Sequence, residues 1–169
     1  MYRACIAVVD ASRARLFTFR RAAEAEGIHE ELSEQQDLVN LARRQRPSEL
    51  FSDTPGSNRT GGLRYAFDDH RDAHLDELDV EFARYVTTEL GALLRTTAPQ
   101  RLIVCASPRM LGHLREVGGE LRRDRSLAID EVPRDLVKLT TFELRDRLAS
   151  YGLLPPQPSR PVLLHEPGQ

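Results

Sequence analysis

Residues 4–9 read Ala-Cys-Ile-Ala-Val-Val, a continuous apolar run that is rich in β-branched side chains. Because the run does not alternate with polar residues, both of its sides must be covered, as in a central strand of a sheet. Residues 101–106, Arg-Leu-Ile-Val-Cys-Ala, contain a second run of the same kind. The two runs predict two buried strands, and the rest of the chain is interpreted around them.

The residues after the first run predict an antiparallel meander. Asp10 to Arg13 is a short polar turn, and residues 14–19 alternate in the way that is typical of a hairpin partner. A charged turn follows over residues 22–27. The shorter and more polar stretch 28–32 is expected to be an edge strand, where charged side chains discourage pairing with other chains.

Helical patterns begin at about residue 75. Apolar residues at three- and four-residue steps predict one long helix: Leu75, Leu78, Phe82, Val86, Leu90 and Leu93. Ser107-Pro108 suits the N-cap and first position of another helix, which Gly118-Gly119 ends. Residues 127–132 predict a further strand, and Thr140 to Glu143 is typical of a capping box that begins a last helix.

This order of elements predicts an α/β fold, a layered mixed β-sheet with helices on its faces. A ribonuclease H-like sheet order, with the first strand central, satisfies it. We expect a single α/β domain over residues 1–153 and a Pro-rich tail over residues 154–169, which holds five of the ten prolines. The tail is expected to be poorly ordered by itself, and it could dock on the domain or mediate a homo-oligomer.

Composition narrows the classes of partner. The formal net charge of −2 gives no overall field that favours nucleic acid or an anionic membrane, so such binding would need a local patch.

Cys5 and Cys105 lie in apolar runs and are expected to be buried thiols, with a disulfide between neighbouring strands as the alternative. The absence of a signal peptide and of any run of transmembrane length favours the cytoplasm without membrane association. No pattern indicates a cofactor.

A long polar loop over about residues 40–70 is the first candidate site. Prolines and glycines interrupt every periodicity in it, and so long a loop is usually functional or disordered. Its basic, glycine and aromatic residues could neutralise RNA phosphates and stack on bases: Arg43, Arg44, Arg46, Arg59, Gly61, Gly62, Arg64 and Tyr65. The alternative is a solvated loop whose arginines pair with acids nearby.

Two metal sites are also considered. His70 and His74 would share a helix face if the long helix begins early enough, and could chelate a transition metal with a third ligand such as Asp69 or Glu77. The alternative is a polar helix start with charge-paired histidines. Asp10 ends the first strand and could help to hold metal ions, as in a nuclease. The alternative there is a carboxylate that caps the hairpin turn.

An anion site is considered at Ser107 and Arg109. They lie where a strand is followed at once by a helix N-terminus, and such junctions bind anions. The alternative is that Ser107 is simply the N-cap and that Arg109 pairs with an acid.

Several runs together resemble a bacterial family called "protein required for attachment to host cells", over about residues 3–150. The runs are residues 8–17, 50–56, 82–83, 106–115 and 134–139. The most specific of them is Pro-Arg-Met-Leu-Gly at residues 108–112, and Asp-Ala-Ser-Arg-Ala-Arg at residues 10–15 is moderately specific.

That family in turn resembles the middle domain of the archaeal and eukaryotic peptide-chain release factors and of pelota. In release factors a basic loop carries Gly-Gly-Gln before a long helix and enters the peptidyl-transferase centre. Here Gly61-Gly62 is followed by Leu63, so the glutamine that helps to organise the hydrolytic water is missing. The resemblance implies a non-catalytic, release-factor-like domain that faces the ribosome or RNA. The alternative is a metal-dependent hydrolase or nuclease that uses Asp10 or the His70/His74 pair.

Overall fold

The computed structural model describes residues 1–44 and 63–158 of the chain, and side chains for residues 1–43 and 70–158. Three strands come first, and helices and strands then follow in the predicted order, with one additional short helix after the third strand. The strands are β1 (Tyr2–Val9), β2 (Arg13–Glu24), β3 (Gly27–Val39), β4 (Arg101–Cys105) and β5 (Ala128–Val132). The helices are α1 (Leu41–Arg44), α2 (Leu63–Thr97), α3 (Pro108–Val117) and α4 (Thr141–Ser150), with a 3-10 turn at Leu121–Arg123.

The five strands form one mixed sheet in the order β3-β2-β1-β4-β5. β1 pairs antiparallel with β2, which pairs antiparallel with β3, as a meander requires. β4 lies parallel to β1, and β5 lies parallel to β4. The predicted α/β class is therefore confirmed, and the apolar run at residues 4–9 is the central strand.

Each face of the sheet carries its own core. Cys5, Ala7 and Val9 of β1 point to the face that α2 and α3 cover, where they pack with Phe82, Val86 and other residues. Ala4, Ile6 and Val8 point to the opposite face and pack with residues of α4, including Leu144 and Leu148. Because β1 is buried on both sides, its side chains are apolar at every position from Ala4 to Val9.

The two cysteines are buried free thiols, as predicted. They pack in different cores, Cys5 on the α2 side and Cys105 on the α4 side. Burial raises the pKa of Cys105 to about 12, and it also raises the pKa of Cys5 against the opposing effect of Thr97. Both thiols therefore stay protonated at neutral pH.

α3 and α4 begin at the residues where the sequence predicts helix starts. Ser107 Oγ accepts a hydrogen bond from the N–H of Met110 at 3.3 Å, and Pro108 lies in the first turn of α3. Thr140 and Glu143 form the reciprocal bonds of a capping box at the start of α4. Each bond satisfies a backbone N–H that has no partner within the helix.

The first residues of the Pro-rich tail pack on the domain. Leu154 is buried in the α4-side core. Arg145 Nη2 donates to the carbonyl of Pro155 at 2.7 Å, and Arg21 Nη1 donates to that of Pro156 at 2.9 Å. The tail from residue 159 onward lies outside the described residues, so its role in a homo-oligomer stays a prediction.

β2 and β3 are longer than the strands predicted at residues 14–19 and 28–32. Both strands were predicted, but their predicted lengths were wrong. The added residues are mostly polar and lack a clear apolar alternation, but several of them form ion pairs between the two strands. The pairs are Arg13–Asp37 at 2.7 Å, Arg15–Glu34 at 2.8 Å, Arg20–Glu31 at 3.6 Å and Arg21–Glu30 at 3.8 Å. Opposite charges on facing strands stabilise pairing where apolar burial does not.

Candidate functional site

The candidate site lies at the carboxyl edge of the sheet, where the parallel strands β1 and β4 end. The turn after β1 is joined there to the end of β3, because Asn40 N donates to the Ser12 carbonyl at 2.8 Å and Asn40 Nδ2 to the Ala11 carbonyl at 3.0 Å. α1 begins at the next residue, and α3 begins just after β4. The strand ends thus bring two helix starts to one edge, the usual place for a site in an open α/β sheet.

Five polar side chains meet at this edge, and we call them the edge cluster. They are Arg43 of α1, Asp76 and Asp79 of α2, and Arg109 and His113 of α3. Asp76 and Asp79 lie about one turn apart on α2 and so share a face. One potential ligand atom from each of Asp76, Asp79 and His113 lies within 4.8 Å of the others.

Asp79 is the buried member, with only 4% of its surface exposed. Arg43 neutralises it with two bonds, Nε to Oδ1 at 3.0 Å and Nη2 to Oδ2 at 3.3 Å. A buried carboxylate is tolerated when a guanidinium binds both of its oxygens. Arg43 is therefore held by an acid, as in the alternative interpretation of the basic segment, and the ion pair fixes α1 against α2.

Asp76 is the more exposed carboxylate, and two groups of α3 approach its Oδ1 atom. Arg109 donates to it through Nε at 3.1 Å and through Nη2. His113 Nε2 lies 3.4 Å from the same atom and makes no hydrogen bond with the part of the chain that the structure describes. The hydrogen bonds from Arg109 hold the pKa of Asp76 below its usual value, with a smaller contribution from His113.

At the predicted anion site, Ser107 and Arg109 make the contacts that the alternative interpretation expects. Ser107 Oγ is engaged as the N-cap of α3, and Arg109 is paired with Asp76. These contacts explain both residues through local structure. An anion that bound here would have to compete with the Asp76 carboxylate for Arg109.

The predicted metal ligands His70 and His74 both lie on α2, which does begin early enough for them to share a face. His70 is exposed and His74 is half-buried. The one three-ligand group found among the described residues contains neither of them. Asp10 Oδ1 accepts the N–H groups of Ser12 and Arg13, each at 2.7 Å, so this carboxylate caps the hairpin turn.

The loop predicted at about residues 40–70 has secondary structure at both of its ends. β3 continues to Val39, α1 follows it, and α2 begins at Leu63, so Arg64 and Tyr65 have helical backbone. The physical reason is that no glycine or proline interrupts residues 63–90. The side chains of Arg44, Arg64 and Tyr65 are not among those described, and Arg46, Arg59, Gly61 and Gly62 lie outside the described residues. Their proposed role in RNA binding stays a prediction.

Sequence reasoning missed Asp79 and His113. The signal for Asp79 was available, since it lies four residues after Leu75 and three before Phe82 on the apolar stripe of α2. A carboxylate at such a position requires a buried partner. His113 lies one turn after Arg109, so a site at the start of α3 extends naturally to it.

The family model described as "Protein required for attachment to host cells" matches residues 5–148. The chain belongs to this family. No match to a curated protein was found. The matched range of the host attachment family includes most of β1, all of β2 to β5 and the whole edge cluster. In the described part of this family member, no helix has both the length and the apolar character needed to cross a bilayer.

Proposed function

We propose that this member of the host attachment family is a non-catalytic, release-factor-like binding domain that contacts ribosomal RNA through its arginine-rich segment at about residues 40–70. The observation that carries the proposal is the Arg43–Asp79 ion pair, which holds α1, and with it the start of that segment, against the middle of α2. The chain therefore enters the segment from a fixed point on the domain. Attachment to host would then be an indirect outcome of a role in translation.

The sequence of the segment supports the same function. Arg44, Arg46, Arg59 and Arg64 lie in or beside it, and each could neutralise a phosphate. Gly61-Gly62 directly precedes the longest helix, as Gly-Gly does in the release factors that this family resembles. Leu63 stands where those proteins have glutamine, which favours binding over ester hydrolysis.

The test is co-sedimentation with purified bacterial ribosomes over a salt series from about 50 to 200 mM. The variant is Arg44→Gln/Arg46→Gln/Arg59→Gln, and the matched control is Arg95→Gln/Arg123→Gln/Arg125→Gln, which changes exposed arginines near the opposite edge of the sheet. We expect the wild type and the control to bind with the same salt dependence. The variant should bind more weakly, with a salt slope smaller by about two, because about three phosphate contacts are lost.

The RNA proposal is wrong if the wild type does not sediment with ribosomes, or if the variant and the control lose binding equally. The second outcome would indicate non-specific attraction to polyanions. Binding that does not weaken with salt would also contradict a contact made through phosphates.

The second candidate function is a metal-dependent hydrolase or nuclease that uses Asp10 or the His70/His74 pair. Both capping bonds of Asp10 are made to its Oδ1 atom. His70 and His74 are one turn apart on α2, as chelation requires. RNA cleavage in the presence of Mg²⁺ or Mn²⁺ that Asp10→Asn or His70→Gln/His74→Gln abolishes would favour the enzyme, and intact RNA would favour the binding domain.

A further inference from the structure

The edge cluster has the composition of a metal site. Asp76, Asp79 and His113 each offer one ligand atom, and the three atoms lie within 4.8 Å of one another. Two atoms that share an ion at about 2.1 Å lie at most about 4.2 Å apart, so only small side-chain movements separate this arrangement from coordination. One imidazole with two carboxylates suits a divalent transition ion such as Zn²⁺ or Mn²⁺.

The surroundings of His113 provide a second observation. Its Nε2 atom is buried and makes no hydrogen bond among the described residues, although it points towards Asp76 at 3.4 Å. Its side chain is only 14% exposed, so solvent has little access to the ring. A buried ring nitrogen without a bond carries a free-energy cost, which a bound cation would remove. Neutral imidazole nitrogen is also the commonest protein ligand for such ions.

Arg43 and Arg109 occupy the two carboxylates that an ion would need. They now neutralise the two carboxylates, and a divalent cation beside both of them would be repelled. The side chain of Arg109 is 62% exposed, and its pair with Asp76 is a surface pair that contributes little stability. Arg43 is more buried and binds the buried Asp79, yet each carboxylate oxygen can accept a second partner. Arg109 is therefore the group that an ion would displace.

We propose that Asp76, Asp79 and His113 bind one divalent transition metal ion in exchange for the Arg109 guanidinium, while Arg43 remains on Asp79. The ion takes the place of Arg109 on Asp76 and satisfies His113 Nε2. The displaced guanidinium then lies free beside the N-terminus of α3. This site is distinct from the His70/His74 pair, and it requires neither the RNA-binding function nor the hydrolase.

The test is titration of the full chain with Zn²⁺ by calorimetry, with imidazole NMR signals recorded in parallel. We expect one equivalent to bind, the His113 ring signals to shift and the melting temperature to rise. Asp76→Asn and His113→Gln should each weaken binding at least about tenfold, because each removes a ligand. His29→Gln, at an exposed histidine of β3, is the matched control and should leave the affinity unchanged.

Arginine variants test the exchange itself. Arg109→Gln removes the competing cation and should strengthen Zn²⁺ binding a few-fold, whereas Arg115→Gln, an exposed arginine on the same helix, should not change it. Both positions are on the surface, so these variants are expected to fold even if His113→Gln does not.

Three outcomes would overturn the proposal. The first is no saturable binding at about 1 mM Zn²⁺, which corresponds to less than about 4 kcal/mol of binding free energy. The second is loss of binding in His70→Gln with no loss in Asp76→Asn, which would place the ion elsewhere on α2. The third is an unchanged affinity in Arg109→Gln.

Discussion

At the scale of single residues, Asp79 shows how one buried charge constrains its surroundings. It lies on the apolar stripe of α2, where a carboxylate is stable only with a partner, and Arg43 supplies two hydrogen bonds. Arg43→Gln removes the ion-pair partner of this carboxylate. We expect the free energy of unfolding, measured in urea, to fall by about 2 kcal/mol. The loss is smaller than for a fully buried pair because Arg43 retains some exposure.

The matched control for this prediction is Arg13→Gln. Its pair with Asp37 has a similar distance but is much more exposed, so the loss should stay below about 1 kcal/mol. Equal losses in the two variants would mean that the burial of Asp79 does not matter.

Glu131 provides a prediction on pH dependence. Hydrogen bonds from Arg115, together with those from Arg122, hold the pKa of Glu131 below its ordinary value of 4.5. A group whose pKa is lowered by folding stabilises the fold above its unfolded pKa, and this contribution is lost as the pH falls through the folded value. Glu131→Gln should therefore lower the free energy of unfolding at pH 7 by about 1 kcal/mol. Chemical denaturation at several pH values should show this difference shrinking below pH 4.5. A difference that is constant with pH would contradict this origin.

At the scale of elements, the capping box at the start of α4 can be tested alone. Thr140→Ala removes the acceptor for the Glu143 N–H and should lower the free energy of unfolding by about 1 kcal/mol. Thr140→Ser keeps a hydroxyl and should cost little. If serine is as damaging as alanine, the methyl group of Thr140 matters more than its hydrogen bond.

Elements with local signals were predictable from sequence, and elements held by distant partners were not. Residues 4–9, the Ser107-Pro108 helix start and the capping box each carry their signal within a few residues. β3 lacks such a signal, since its residues from Glu30 to Asp37 are mostly polar. Its length depends on arginines of β2 that face it across the sheet, and strand alternation alone does not reveal that pairing.

At the scale of the whole molecule, the start of the tail closes the α4-side core. Leu154 is 3% exposed, and Arg145 and Arg21 bind the carbonyls of the next two residues. Leu154→Ala should cost about 2 to 4 kcal/mol in the free energy of unfolding, because it opens a cavity. The control Leu153→Ala, at a partly buried neighbour, should cost clearly less. Thermal melts of the full chain check both, and equal effects would mean that Leu154 is not a core residue.

The site was harder to predict than the fold for a related reason. The edge cluster joins residues 36 positions apart in Arg43 and Asp79 and 33 apart in Asp76 and Arg109. No local spacing indicates such contacts, because the order of strands decides which helix starts become neighbours. Ser107 and Arg109 were predicted at this edge as an anion site, but nothing in their local sequence indicates that α2 brings carboxylates close to Arg109.

The two buried thiols, one on each side of the sheet, can be used to detect the opening of each core. A maleimide reagent reacts only with an accessible thiolate, so neither cysteine should be modified while the fold is intact. Modification of Cys5 would record separation of the layer that contains α2, and modification of Cys105 would record separation of the layer that contains α4. The order in which the two adducts appear in a mass spectrum would therefore show which layer detaches first.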